Sequence, residues 1–232
     1  MSSEGPLAGH VAVVVGGGGE LGRATAVKFA SQGMTVVAVD RNLSSLDALP
    51  QGIARDGADA TDPEAVSQLI DRIAQNFGVP NVLVNTIGAF ESADALTTTP
   101  EQFHQMLDVN LAPALWLSQA VAPYMRTRGS GAIVHIAARP GLEPTAALAA
   151  YSVSKAALVH LTRILDLELR PFGIRVNAVA PLLIATARNK AFLPQEALSH
   201  AVTPEAIAEV VAFLASDAAS PVSGAILPAY GA

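Results

Sequence analysis

In the segment His10–Gly22, HVAVVVGGGGELG, a strand pattern gives way to a glycine-rich turn and then to a helix pattern. His10–Val15 is a continuous run rich in β-branched residues, as expected of a strand buried on both faces rather than one alternating between core and water. Gly16–Gly19 end that run, and apolar residues return at helical spacing in Leu21, Ala24, Val27 and Phe29. Glycines at 16, 19 and 22, or at 17, 19 and 22, let the backbone turn tightly, approach an anion closely and pack the helix on the strand. The first-turn N–H groups around Leu21 then have no partner within the helix and face the anion.

Outward from this turn, Met34–Val39 reads as a second buried strand closing on Asp40. An acidic residue about 20 positions after a glycine turn is placed to accept hydrogen bonds from a ribose and to repel a 2′-phosphate. Asp40 therefore predicts NAD as the cofactor. Arg41 beside it offers a guanidinium to a 2′-phosphate, which keeps NADP as the lesser alternative. The alternation continues along the chain. Ile53–Ala58 is a third, weaker strand, and Asp62 and Pro63 open a helix with apolar Val66, Leu69, Ile70 and Ile73. Asn81–Asn85 is a fourth strand, Pro100–Arg128 a long helical stretch, Gly131–Ala137 a fifth strand and Ala150–Arg170 a long helix stopped by Pro171 and Gly173. Ile174–Ala180, Pro204–Ser216 and Ser223–Pro228 complete the series as strand, helix and short strand. Strands separated by helices imply right-handed crossovers. The expectation is one Rossmann-type α/β domain over residues 1–232, a doubly wound, mostly parallel seven-stranded sheet with helices on both faces. Residues 1–8 are expected as a flexible polar tail and about 183–202 as a short substrate lid.

The chain carries a net charge of −6, no cysteine and five scattered histidines. No basic run points to nucleic acid, and nothing is spaced as a metal site, so no metal is expected. No apolar stretch reaches the ~18 residues of a membrane span, and the segment before His10 lacks a signal-peptide pattern; the chain reads as cytoplasmic. Only 15% of residues are charged, against about a quarter in typical domains, which predicts that part of the surface is buried against other copies.

The order of motifs resembles the short-chain dehydrogenase/reductase family from about Leu7 to Leu227. The glycine turn and Asp40 carry part of the resemblance. So do Asp59 (with Ala60) after the third strand, Asn85-Thr86-Ile87-Gly88 after the fourth, and Asp108-Val109-Asn110 within the long helical stretch. Tyr151-Ser152-Val153-Ser154-Lys155 and Ile174-Arg175-Val176-Asn177-Ala178-Val179-Ala180-Pro181 complete it. The resemblance implies NAD(P)-dependent hydride transfer between nicotinamide and an alcohol or carbonyl. Tyr151 would be the acid/base, Lys155 its pKa modulator and a ribose ligand, and Asn110 the anchor of a relay water. Gly16, Gly19, Leu21, Gly22, Asp40, Arg41, Asp59, Ala60, Asn85, Gly88, Pro181 and Thr186 would contact the cofactor. A homodimer or homotetramer built on Pro113–Arg126 and Ala156–Leu169 would follow.

The tyrosine–lysine pair has its own physical logic. Four residues apart on a helix, the two share a face, and a nearby ammonium favours the phenolate, lowering a tyrosine pKa from its ordinary ~10. Three positions depart from the family pattern. Ala138 stands where the family has the serine that holds the substrate oxygen, and Thr145 or Ser152 are the hydroxyls left to replace it. Glu20 occupies a glycine position of the turn, although the Gly16/Gly19/Gly22 spacing resembles the family's extended branch. Leu182 follows Pro181 where glycine is usual. These departures predict an impaired or atypical oxidoreductase. The alternatives are an inactive subunit that stabilises an active homologue in a hetero-oligomer, and a nucleotide-binding regulatory protein. Arg139 and His135 read as a surface arginine and a hydrogen-bonded core residue.

Overall fold

A computed structural model describes residues 7–231, and within them the first strand, β1 (Val11–Val15), is buried at every position. It runs into α1 (Glu20–Ser31) and β2 (Thr35–Asp40), followed by β3 (Ala54–Gly57), α2 (Pro63–Phe77) and β4 (Val82–Asn85). Next come α3 (Pro100–Asn110), α4 (Ala112–Arg128), β5 (Gly131–Ile136), α5 (Ala149–Leu169) and β6 (Ile174–Pro181). The chain continues through α6 (Ala187–Phe192), α7 (Gln195–Leu198), α8 (Pro204–Ala215) and β7 (Ile226–Ala229). The seven strands form one sheet in the order β3-β2-β1-β4-β5-β6-β7. Every neighbouring pair is parallel, so the sheet expected as mostly parallel is entirely so.

The winding reverses between β1 and β4, and ligands of open α/β sheets bind at that switch point, beyond the carboxyl ends of the strands. Pairing of Val15 with Val39 and with Asn85 fixes the register there. It sets Gly16, Asp40 and Thr86 side by side on one edge. Each face of the sheet has its own core. Phe29 of α1 and Val211 of α8 pack with Val14 and Val134 on one side. Leu69 and Ile73 of α2 and Leu117 of α4 pack with Val13 and Ile133 on the other. Fully burying side chains of this size contributes about 1.5–3 kcal/mol each, so the edge carrying the glycine turn rests on a firm base.

Four sequence expectations change. The helical stretch Pro100–Arg128 is two helices, α3 and α4, broken at Leu111. Pro113 has no N–H to give the Val109 carbonyl and its ring crowds that carbonyl, so the helix restarts. Asn110 is consequently the last residue of α3, not a mid-helix residue. The final strand starts at Ile226 rather than Ser223, because Gly224 is left-handed at φ 72° and Ala225 donates to Asn177 Oδ1 at 3.0 Å. Leu7 is 1% exposed and belongs to the core, so the tail expected over residues 1–8 stops short of it; residues 1–6 lie outside the described ones. The 183–202 segment holds α6 and α7, its ends joined by a bridge between Ile184 and Val202.

Candidate active site

The glycine turn is shaped by its neighbours. Gly16 has φ 85°, and a Cβ there would lie 2.5 Å from Thr86 Oγ1; a Cβ at Gly22 would lie 2.1 Å from the Gly16 carbonyl oxygen. Side chains at either position would push strand and helix apart. Gly16 and Gly17 donate their N–H groups to the Val39 carbonyl at 2.8 and 2.9 Å, which ties the turn to β2. A Cβ at Gly19 would meet only the Gly16 oxygen, at 3.4 Å, and α1 starts with no side-chain cap. A turn free of Cβ atoms below an uncapped helix start fits the pyrophosphate of a dinucleotide. Leu21 is buried behind it.

Asp40 accepts from Gly18 N at 3.1 Å through Oδ2 and from Asn42 N at 3.1 Å through Oδ1. Each oxygen keeps a further lone pair, so the carboxylate retains capacity for ribose hydroxyls. Arg41 is exposed. Asp59 accepts from Thr61 Oγ1 at 2.7 Å and Thr61 N at 2.9 Å. These bonds hold its carboxyl below the usual range, with Arg41 adding to the effect. Ala60 next to it is buried.

A second cluster forms where β4, α3 and α5 meet. Asn85 Oδ1 accepts from Ile87 N at 3.0 Å and so shapes the loop after β4. Asn110 Oδ1 accepts from Ala89 N at 2.9 Å, while its Nδ2 donates to the Ala89 carbonyl at 3.1 Å and to Ser154 Oγ at 3.0 Å. Ser154 Oγ in turn donates to the Tyr151 carbonyl at 2.8 Å. A Cβ on Gly88 would lie 3.0 Å from Asn110 Oδ1 and 3.1 Å from Lys155 Nζ. The fold therefore gathers Gly88, Asn110, Ser154 and Lys155 around one point. Ser154 is not among the expected site residues; its only signal in the sequence is its place inside the Tyr151–Lys155 spacing.

Lys155 is buried and donates Nζ to the Ile136 carbonyl at 2.9 Å. Burial pushes its pKa down to about 8 and that of half-buried Tyr151 up to about 12. This corrects the expectation of a lowered tyrosine pKa. Loss of water disfavours both charged forms. Asn110, expected to anchor a relay water, has both side-chain N–H groups engaged by the protein. The Tyr151 ring meets Phe90 edge-on at 5.0 Å between centroids.

The other side of the site lacks an obvious donor. Ala138, extended and buried two residues beyond β5, has no hydroxyl. Thr145 is exposed and donates to the Glu143 carbonyl at 3.4 Å. Ser152 Oγ is buried without a hydrogen-bond partner among the described residues. Arg139 pairs with Glu143 at 2.7 Å and lies 5.1 Å over the Tyr230 ring. Pro181 closes β6, Leu182 is 40% exposed, and Thr186 Oγ1 accepts from Asn189 N at 3.2 Å to cap α6. His135 is fully buried, 3.4 Å from Ser118 Oγ, and burial pushes it down to about 4. Among the described residues no three His, Asp or Glu side chains group as metal ligands, and no helix is long and apolar enough to cross a membrane.

A parallel sheet whose winding reverses above a glycine turn, with an acidic residue ending the next strand, defines a Rossmann-type protein. Its residues 10–197 match the family described as short chain dehydrogenase, and the chain belongs to that family of oxidoreductases, whose cofactors are NAD(P). It is 32% identical to the 3-oxoacyl-[acyl-carrier-protein] reductase FabG of Thermotoga maritima, covering 95% of this chain and 96% of that one. It is also 32% identical to meso-2,3-butanediol dehydrogenase of Serratia marcescens, over 95% and 93% of the two chains. A crystal structure from Burkholderia xenovorans assigned to the short-chain dehydrogenase/reductases superposes with a TM-score of 0.92 at 32% identity, covering 98% and 97%.

Proposed function

We propose that this chain is an NAD-preferring oxidoreductase acting on a small alcohol or carbonyl substrate, better suited to reducing the carbonyl than to oxidising the alcohol at neutral pH. The observation that carries this reading is the placement of Tyr151 and Lys155 on one face of α5, with Gly88 and Asn110 closing around Lys155 Nζ beside the glycine turn. When bound, NAD(P) supplies or accepts the hydride. Gly16, Gly19, Gly22 and the start of α1 would hold the pyrophosphate, Asp40 the adenosine ribose, and Lys155 the second ribose. Leu21, Arg41, Asp59, Ala60, Asn85, Gly88, Pro181 and Thr186 would line the rest of the groove.

Tyr151 Oη carries the proton. With burial pushing its pKa up to about 12, the hydroxyl is protonated at neutral pH and can donate to the oxygen of a carbonyl as the carbon receives hydride. The reverse reaction needs the phenolate, so oxidation should rise with pH. Asn110 holds Ala89 against Ser154 and so fixes the loop that approaches Lys155; it acts as a positioning residue. Ala138 offers no hydrogen bond to the developing oxyanion, and one missing donor costs about 10²–10³ in rate. The names of the two relatives, a 3-oxoacyl reductase and a diol dehydrogenase, both belong to alcohol/carbonyl chemistry. Exposed Val153, Ile164 and Leu167 on α5 support association into a homodimer or homotetramer.

The test is turnover on a panel of small ketones and secondary alcohols, followed at the nicotinamide absorbance. Tyr151→Phe should lower it by about 10²–10⁴-fold, and undiminished turnover would rule out the assignment. Ala138 also favours a second reading, an inactive subunit that supports an active homologue. That reading predicts copurification with a related chain and no turnover by the isolated protein.

A further inference from the structure

Glu20 reaches across the mouth of the site. It sits in the first turn of α1, yet its carboxylate accepts the main-chain N–H of Ala187, 2.8 Å from Oε1 and 3.1 Å from Oε2. The two residues are 167 positions apart, and Ala187 opens α6 in the 183–202 segment. Glu20 makes no ion pair among the described residues. The nearby Arg23 guanidinium is turned to the Gly18 carbonyl at 3.2 Å. The carboxylate thus has the Ala187 N–H as its hydrogen-bond donor, and among the described residues this hydrogen bond links the start of α1 to the segment facing it. Thr186 Oγ1 and Ile184 hold the same corner through Asn189, so the tie pulls on a pre-formed helix start rather than a loose loop.

We propose that Glu20 is a resident anion that holds the 183–202 segment against the glycine turn, and that a dinucleotide binds in competition with this tie. The inference rests on the dinucleotide reading above. A pyrophosphate at the start of α1 brings two further negative charges beside Glu20. Like charges repel, so a pyrophosphate at the start of α1 and the Glu20–Ala187 tie oppose each other. Glu20 is then an affinity-setting residue, whose removal loosens the lid of the cofactor-free protein and tightens cofactor binding together. A purely structural carboxylate would loosen the lid and weaken binding.

The experiment compares wild type with Glu20→Gln, which keeps size and an acceptor, and Glu20→Gly, which removes both. Trypsin cleavage at Arg188 and Lys190 is measured on the cofactor-free protein, and NADH binding by calorimetry. Glu20→Gly should be cut about tenfold faster and bind NADH about tenfold more tightly, with Glu20→Gln between it and wild type. Weaker NADH binding by both variants would overturn competition and make Glu20 part of the loaded site. Unchanged cleavage would overturn the tie. Faster cleavage with no NADH binding by any of the three proteins would overturn the dinucleotide reading, and competition with it.

Discussion

The two halves of the sheet's carboxyl edge are built differently. On the β1–β2 side, the turn is braced by the protein itself: Val39 takes two N–H groups from the turn, and Asp40 takes one from the turn and one from Asn42. On the β5–α5 side, Lys155 is buried with one carbonyl partner, Ser152 Oγ has none among the described residues, and Ala138 carries no hydroxyl. The difference separates binding from chemistry. On the proposed reading the first half is the cradle, whereas the second carries a buried charge without an ion-pair partner among the described residues and lacks one donor.

Supplying that donor should have the largest effect. Ala138→Ser is expected to raise carbonyl reduction by about 10²-fold without changing NADH affinity; steady-state kinetics beside calorimetry would check it. No gain in kcat would mean that the second half is complete in another way, or that it does no chemistry.

A smaller effect probes the buried charge. Burial pushes Lys155 from its ordinary 10.5 down to about 8. Below pH 8 the folded protein must hold a charged lysine that the unfolded chain solvates freely. Wild-type stability should therefore rise between about pH 8 and pH 10.5, where the unfolded state binds more protons. Lys155→Met lacks this rise. Urea unfolding at pH 7 and about pH 10 should show the variant losing, relative to wild type, on the order of 2–3 kcal/mol across that interval. A constant difference would show that the ammonium is well compensated, and the contrast between the halves would fail.

The first half was legible in the sequence because its parts are local. A β-branched run, four glycines, a helical pattern and Asp40 lie within 31 residues, and each dictates its neighbour's geometry. Tyr151 and Lys155 were legible for the same reason, being one helical turn apart. What escaped depends on tertiary placement. The direction of the Tyr151 shift follows from burial of its phenol, which depends on what packs over α5 rather than on the local spacing. The Glu20–Ala187 contact joins segments that no local pattern connects. The break at Leu111 was locally written in Pro113, but a helical period on both sides concealed it.

The central claim is that the β1–β2 half holds a dinucleotide and that Asp40 sets its preference. Parallel calorimetric titrations with NADH and NADPH at near-physiological salt test it directly. The account predicts about micromolar NADH binding with NADPH at least about tenfold weaker, the penalty of a 2′-phosphate facing Asp40. Tighter NADPH binding would contradict the assignment of Asp40, and no binding of either would contradict the account as a whole.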